Sequence, residues 1–208
     1  MLNNIERKYC SFPAILQHSF ARKQPLDNLL NVGLGDFVEF GVMPQSDISE
    51  AKLKVGGEKI YAFKNHNFVS YDLFDDKEQL RCSMIISNQD GTKPYLAISK
   101  LIANHRKRHV CTDEDLEMLK NGKPPSQLYV RENTATMTKW LNLRYKLHIK
   151  NLFGTCISNI NEVMNFEYSL YAANNNDKIL EIERYPSGEI NIFATILIST
   201  KHITISHH

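Results

Sequence analysis

Apolar and polar residues alternate with a period of two along much of this chain. The clearest case is WLNLRYKLHIK, where Leu141, Leu143, Tyr145, Leu147 and Ile149 alternate with Asn142, Arg144, Lys146, His148 and Lys150. A strand there has one apolar and one basic face. LRCSMIIS and PYLAISKLI flank NQDGTK, and Asp90-Gly91 marks the turn of a hairpin because glycine takes positive φ without steric cost. ILEIERY, a Pro-Ser-Gly turn and EINIFATILIS form a second hairpin, and FEYSLYAA precedes it as a further strand. Earlier in the chain FVEFGV, ISEAKLKV, EKIYAF and FVSYDLF read as short strands, with Gly56-Gly57 as a turn between the second and third.

Helical signals are fewer. Pro13 opens a helix through AILQHSFARK, and LDNLLNV follows Pro25 as a second piece that Gly33 and Gly35 end. TDEDLEMLK begins with a capping residue, Thr112 or Asp113, and carries acidic residues in its first turn, where they suit the helix dipole. Asn121-Gly122 stops it, and Pro124-Pro125 keeps it stopped. Strands joined by turns predict an antiparallel sheet. The expectation is therefore an α+β fold, an antiparallel sheet with helices packed on one face. It forms one domain over residues 1–206, with His207 and His208 read as a tag remnant.

The strand faces point to chemistry. In the last hairpin Ile190, Ile192, Ala194, Ile196 and Ile198 share one face, and Asn191, Phe193, Thr195, Leu197 and Ser199 the other. The second set mixes apolar surface with hydrogen-bonding groups, as the walls of small-molecule pockets do. The strand from Leu80 divides in the same way, Leu80, Cys82, Met84 and Ile86 against Arg81, Ser83, Ile85 and Ser87. An arginine on such a face needs a partner, because an unpaired buried charge is costly. Two partners are open: a protein carboxylate, or a ligand carboxylate held by the two-pronged guanidinium.

Composition narrows the function classes. The 208 residues are 42% hydrophobic, enough for a core, and the formal net charge of +2 argues against a protein that coats nucleic acid. The nucleic-acid alternative rests on His105, Arg106, Lys107, Arg108 and His109, and on the basic strand face around Arg144. Asp36, Glu50 and Lys52 also have nuclease-like spacing, a common chance pattern. Cys10, Cys82, Cys111 and Cys156 form no CxxC pair, so no metal site is expected, and reduced cysteines suit a cytoplasmic protein. No stretch has the length of a signal peptide's apolar core or of a membrane span.

The two hairpins echo each other, and their order along the chain resembles a known family. LRCSMIISNQDGTKPYLAISKLI is similar to the chorismate lyase segment with an arginine on one strand, a DG turn and a P-[WY]-L-A return. TDEDLEMLKNGKPPSQLYV resembles the helix and G-K-x-P loop that follow, ENTATMTKWLNL the next strand, and SGEINIFATILIS the closing hairpin. The resemblance, to the chorismate lyase/UTRA superfamily, covers about Leu80 to Ser199, with residues 154–177 poorly matched. It implies a cofactor-free carbon–oxygen lyase, or a UTRA-like effector-binding protein acting through a protein partner. Either would hold a small carboxylated aromatic ligand, of chorismate or 4-hydroxybenzoate type, in an enclosed pocket.

By this resemblance Arg81 holds the ligand carboxylate; Ser83 and Phe193, on the mixed strand faces, are expected to line the pocket with it. The loop from Gly122 to Tyr129, with Ser126 and Tyr129, falls where the family has a flap, and Leu34 falls near a second flap residue. Two departures matter. The family's glutamate on the last strand falls at Thr195, which donates a hydrogen bond but is no carboxylate. A second pocket arginine falls at Ser99, with Lys100 adjacent. The catalytic candidates are thus Arg81 and Thr195, with lyase activity lost or altered.

Overall fold

A computed structural model describes residues 32–43, 46–48, 50–64, 66–75, 79–86, 94–131, 139–158, 162–174, 178–199 and 203–207. Eleven strands form one antiparallel sheet: β1 (Phe37–Phe40), β2 (Lys52–Phe63), β3 (His66–Phe74), β4 (Gln79–Ile86), β5 (Pro94–Leu101), β6 (Gln127–Tyr129), β7 (Arg144–Ser158), β8 (Val163–Ala173), β9 (Lys178–Arg184), β10 (Ile190–Ser199) and β11 (Ile203–Ser206). Between β5 and β6 lie a single 3-10 turn at Asn104–Arg106 and two short helices, α1 (Lys107–Val110) and α2 (Asp113–Lys120).

The sheet closes on itself, which overturns the expectation of a sheet with helices packed on one face. β2 pairs with β3 on one side and with β7 on the other, with Tyr61 opposite Cys156 and Phe63 opposite Gly154. The ring β2-β3-β4-β5-β10-β9-β8-β7 is a closed eight-stranded barrel, so the fold is mostly β rather than α+β. β11 and β1 extend from the first half of β2, and β6 from the first half of β7. Alternation along a strand shows that two unlike faces exist. It does not show whether the sheet behind them lies open or curls shut.

Gly56-Gly57 is where the chain departs most usefully from the sequence reading. It is not a turn but part of β2, with a register shift against β3 between Val55 and Gly57. Bulges bend and coil strands, and here the irregularity separates the stretch of β2 that pairs with β1 from the stretch that pairs with β7. A Cβ at Gly56 would sit 1.8 Å from the Phe74 ring. β7 carries its own irregularities between Leu147 and Leu152, with Asn151 at φ 48°, so the clean alternation around Arg144 does not run the length of the strand.

The other expectations are mixed. The two hairpins hold, with β4 pairing β5 and β9 pairing β10, and the Pro-Ser-Gly turn has Gly188 at φ 82°. Thr112 caps α2: its hydroxyl accepts the Asp115 N–H at 3.0 Å, and the Asp115 carboxylate accepts the Thr112 N–H at 3.0 Å. The helix expected from Pro13, nearly all of LDNLLNV and the NQDGTK turn lie outside the described residues. Trp140 and Leu141 are buried but precede β7.

Two apolar layers hold the barrel. Leu80, Cys82, Ile98, Leu180, Ile182, Ile192, Ala194 and Ile196 are buried on its outer face, in the alternation read from the sequence. Inside, an aromatic group fills one half: Tyr61 stacks on Phe68 at 4.8 Å, and Phe63 meets Phe166 edge-on at 5.6 Å and Tyr168 at 5.7 Å. Such pairs add roughly 0.5–1.5 kcal/mol each beyond their area. Gly154 makes room for them, since a Cβ there would lie 2.7 Å from Phe63 and 2.8 Å from Phe166. Among the described residues no helix is long and apolar enough to cross a membrane.

Candidate ligand-binding cavity

Beside these rings part of the interior is polar. Inward-facing positions of β4, β5, β8, β9 and β10 bring together Arg81, Ser99, Tyr168, Glu181, Glu183 and Thr195, all buried. Arg81 Nη2 lies 2.8 Å from Glu181 Oε2, and Arg81 Nη1 donates to Glu183 Oε1 at 2.5 Å and to the Tyr61 hydroxyl at 3.2 Å. Glu181 also accepts from Tyr168 at 3.0 Å, from Ser99 at 3.0 Å and from the Thr195 hydroxyl. Glu183 accepts from Tyr185 at 2.7 Å. The Arg81 guanidinium lies over the Phe193 ring, 3.8 Å from its centroid.

Burial pushes the Glu181 carboxyl up, but the Arg81 charge and the hydroxyls of Thr195, Tyr168 and Ser99 outweigh it and hold the group below the ordinary glutamate value. Burial pulls Arg81 down, and the charge of Glu181, with Tyr61 and Glu183 behind it, more than reverses that. Tyr61 and Tyr168 are pushed well up by burial, so they act as neutral donors and acceptors.

Above this cluster lies a cavity of about 140 Å³. It occupies the end of the barrel where β3, β5, β7 and β9 finish and β4, β8 and β10 begin, and Arg81, Glu183, Tyr185, Asn191 and Phe193 are among its walls. The Lys59–Asp72 pair, 2.7 Å apart and partly exposed, also lines it. The buried Nε–H of Arg81 has no acceptor among the described residues. An eight-stranded barrel has an interior that side chains just fill or that can enclose one small ligand, and here side chains fill part of it and leave a cavity at one end.

The structure sorts the residues singled out from sequence. Arg81, Ser99 and Phe193 line the cavity. Thr195 shares the interior but is sealed, its hydroxyl turned to Glu181. Ser83 is buried on the same inner face, opposite Ser70. Lys100 is on the outer side, 3.6 Å from Asp47 and over the Trp140 ring. Leu34 is exposed ahead of β1. The loop from Gly122 leads into β6, which pairs with β7, and the exposed Ser126 and Tyr129 lie there, Tyr129 under the Arg144 guanidinium. None of Leu34, Lys100, Ser126 or Tyr129 lines the cavity.

The alternative surfaces are dispersed. Within the HRKRH run Lys107 is buried with its ammonium on the Ile190 carbonyl, and Arg108 pairs with Asp113 at 2.9 Å. Arg144, Lys146 and Lys150 are exposed, whereas burial and Lys146 lower the half-buried His148. Asp36 accepts from the Gly33 N–H at 2.8 Å and Lys52 pairs with Glu39 at 2.7 Å. Among the described residues no group of His, Cys, Asp and Glu side chains could hold a metal ion.

Sequence reasoning missed Glu181 and Glu183. The pattern that marks them is present in ILEIERY, where Leu180 and Ile182 share one face and the two glutamates the other. Of the two partners left open for Arg81, the structure supplies protein carboxylates, and Glu181 from the neighbouring strand stands against Thr195. The chain matches no protein-family model, no curated protein and no solved structure, so its functional reading rests on this barrel interior.

Proposed function

We propose that this protein is a binding barrel that holds one small polar molecule, about the size of a single aromatic ring, in the cavity above Arg81. The observation that carries the reading is a cavity of about 140 Å³ at one end of the barrel, with Arg81, Glu183, Tyr185, Asn191 and Phe193 among its walls. A cavity of about 150 Å³ takes a benzene-sized guest. The walls combine rings of Tyr61, Tyr185 and Phe193 with the polar ends of Glu183 and Asn191, the mixture that orients a small ligand.

The lyase reading has less support than the binding reading. Thr195, at the position of the family glutamate, is fully buried and donates to Glu181, so it does not reach the cavity. The carboxylated aromatic ligand implied by the chorismate lyase resemblance remains the competing ligand class. Mass spectrometry of small molecules released on denaturation tests the binding reading, with the cavity-filling variant Asn191→Trp as control. The expected result is a species released from the wild type and absent from the folded variant. A wild type that releases nothing, and whose cavity residues show no NMR shift changes with ring-sized polar compounds, overturns it.

A further inference from the structure

The charges around the cavity are unequal. Arg81 is one cation facing two carboxylates, Glu181 at 2.8 Å and Glu183 at 2.5 Å, and all three side chains are buried. The second cation on the cavity wall, Lys59, is matched by Asp72 at 2.7 Å. The walls and floor thus carry one negative charge more than positive charge. A buried uncompensated charge of this kind is costly, and a cation entering the cavity offsets it.

The groups that face the cavity are arranged to meet one. Glu183 presents a carboxylate, and Tyr61, Tyr185 and Phe193 present rings. A carboxylate among aromatic rings is the chemistry that recognises organic ammonium groups. Resting on the binding reading above, we infer that the cavity selects a small organic ammonium compound and rejects carboxylates.

Three probes share one ring and one hydroxyl and carry para to it a group of similar size that is cationic, neutral or anionic: 4-hydroxybenzylamine, 4-hydroxybenzamide and 4-hydroxybenzoate. Each is titrated into the whole chain at pH 7, with calorimetry for affinity and NMR of the Arg81 Nε–H for location. The expected order is amine, then amide, then acid, with the amine tighter than the amide by roughly tenfold to a hundredfold, the worth of one charge-assisted hydrogen bond. Glu183→Gln should abolish the amine's advantage over the amide; an advantage that survives in the folded variant counts against Glu183 as the recognising group. The wild-type series stands even if that variant does not fold. An order with the acid tightest, and the Arg81 Nε–H resonance shifted, overturns the charge class and keeps the cavity as a binding site. No binding by any of the three, with no shift at Arg81, overturns the charge class and the binding reading together.

Discussion

Replacing Arg81 by methionine removes the cation and keeps much of the side-chain volume. Its consequence follows from burial: Arg81 is 5% exposed, Glu181 6% and Glu183 1%. Two carboxylates that are themselves almost fully buried then stay behind without their cation. Removing one partner of a buried pair costs about 3–5 kcal/mol. In a chain of this length each kcal/mol moves the melting temperature by about 2–4 °C, so the variant should melt about 6–20 °C lower at pH 7. The pH dependence identifies the cause. In the wild type Glu181 is held below the ordinary glutamate value, so its contribution is present above that value and lost as pH falls through the folded-state value. In Arg81→Met the largest downward influence is gone, burial dominates, and the carboxyl is stable in its neutral form. That contribution is present below the unfolded value, about 4.3, and is lost as pH rises through the raised folded value. The gap between wild type and variant is thus widest near pH 7 and narrows toward pH 5. Urea denaturation at both pH values measures it, and Arg81→Met/Glu181→Gln should recover part of the loss at pH 7. A deficit equal at the two pH values, or a double variant no more stable than the single, would show that lost packing rather than orphaned charge governs the site.

Three further outcomes are expected. Gly154→Ala forces a Cβ to within 2.7 Å of Phe63 and 2.8 Å of Phe166, and should lower stability by about 1–3 kcal/mol in urea, with reduced near-ultraviolet dichroism from the ring cluster. Thr112→Ala removes the capping box of α2 and should cost about 0.5–2 kcal/mol, seen first as faster amide exchange in the opening turn of that helix. Arg144→Ala, an exposed residue stacked on Tyr129, should leave stability within about 0.5 kcal/mol of the wild type and leave 4-hydroxybenzylamine binding unchanged; a loss of salt-dependent oligonucleotide binding would instead revive the basic strand as a nucleic-acid surface.

Local features were legible and long-range ones were not. The faces of β4 and β10 follow directly from alternation: Ile192, Ala194 and Ile196 lie buried outside, while Asn191, Phe193 and Thr195 turn inward beside Arg81. The Thr112 cap and the Pro-Ser-Gly turn are also local, set by residues within a few positions of one another. Closure depends on Tyr61 meeting Cys156, strands far apart in sequence, and no periodicity within either strand announces the other. Gly56-Gly57 reads as a turn in the sequence and lies inside β2, for the same reason. A glycine pair ends a strand or bends it, and what decides is whether a partner waits beyond the bend. The carboxylates on Arg81 were missed because the charge balance of a buried face becomes visible only once β9 is known to stand between β8 and β10.

The polar cluster also bears on how the barrel finds its register. A one-residue slip of β4 would turn Arg81 outward and Leu80 inward, because side chains change face at every position. Glu181 and Glu183 would then share the interior without a cation, and the hydroxyls of Ser99, Thr195 and Tyr168 do not replace a guanidinium. The same slip in an all-apolar interior would exchange one hydrophobic residue for another at small cost. Arg81 links β4 to β2 through Tyr61 and to β9 through both glutamates, and Glu181 carries the connection on to β5, β8 and β10. Strands on opposite sides of the ring are therefore locked together by contacts that tolerate one alignment. The alignment that pairs Arg81 with both glutamates also puts Arg81 and Glu183 on the cavity wall, so the register that closes the barrel is the one that shapes its cavity.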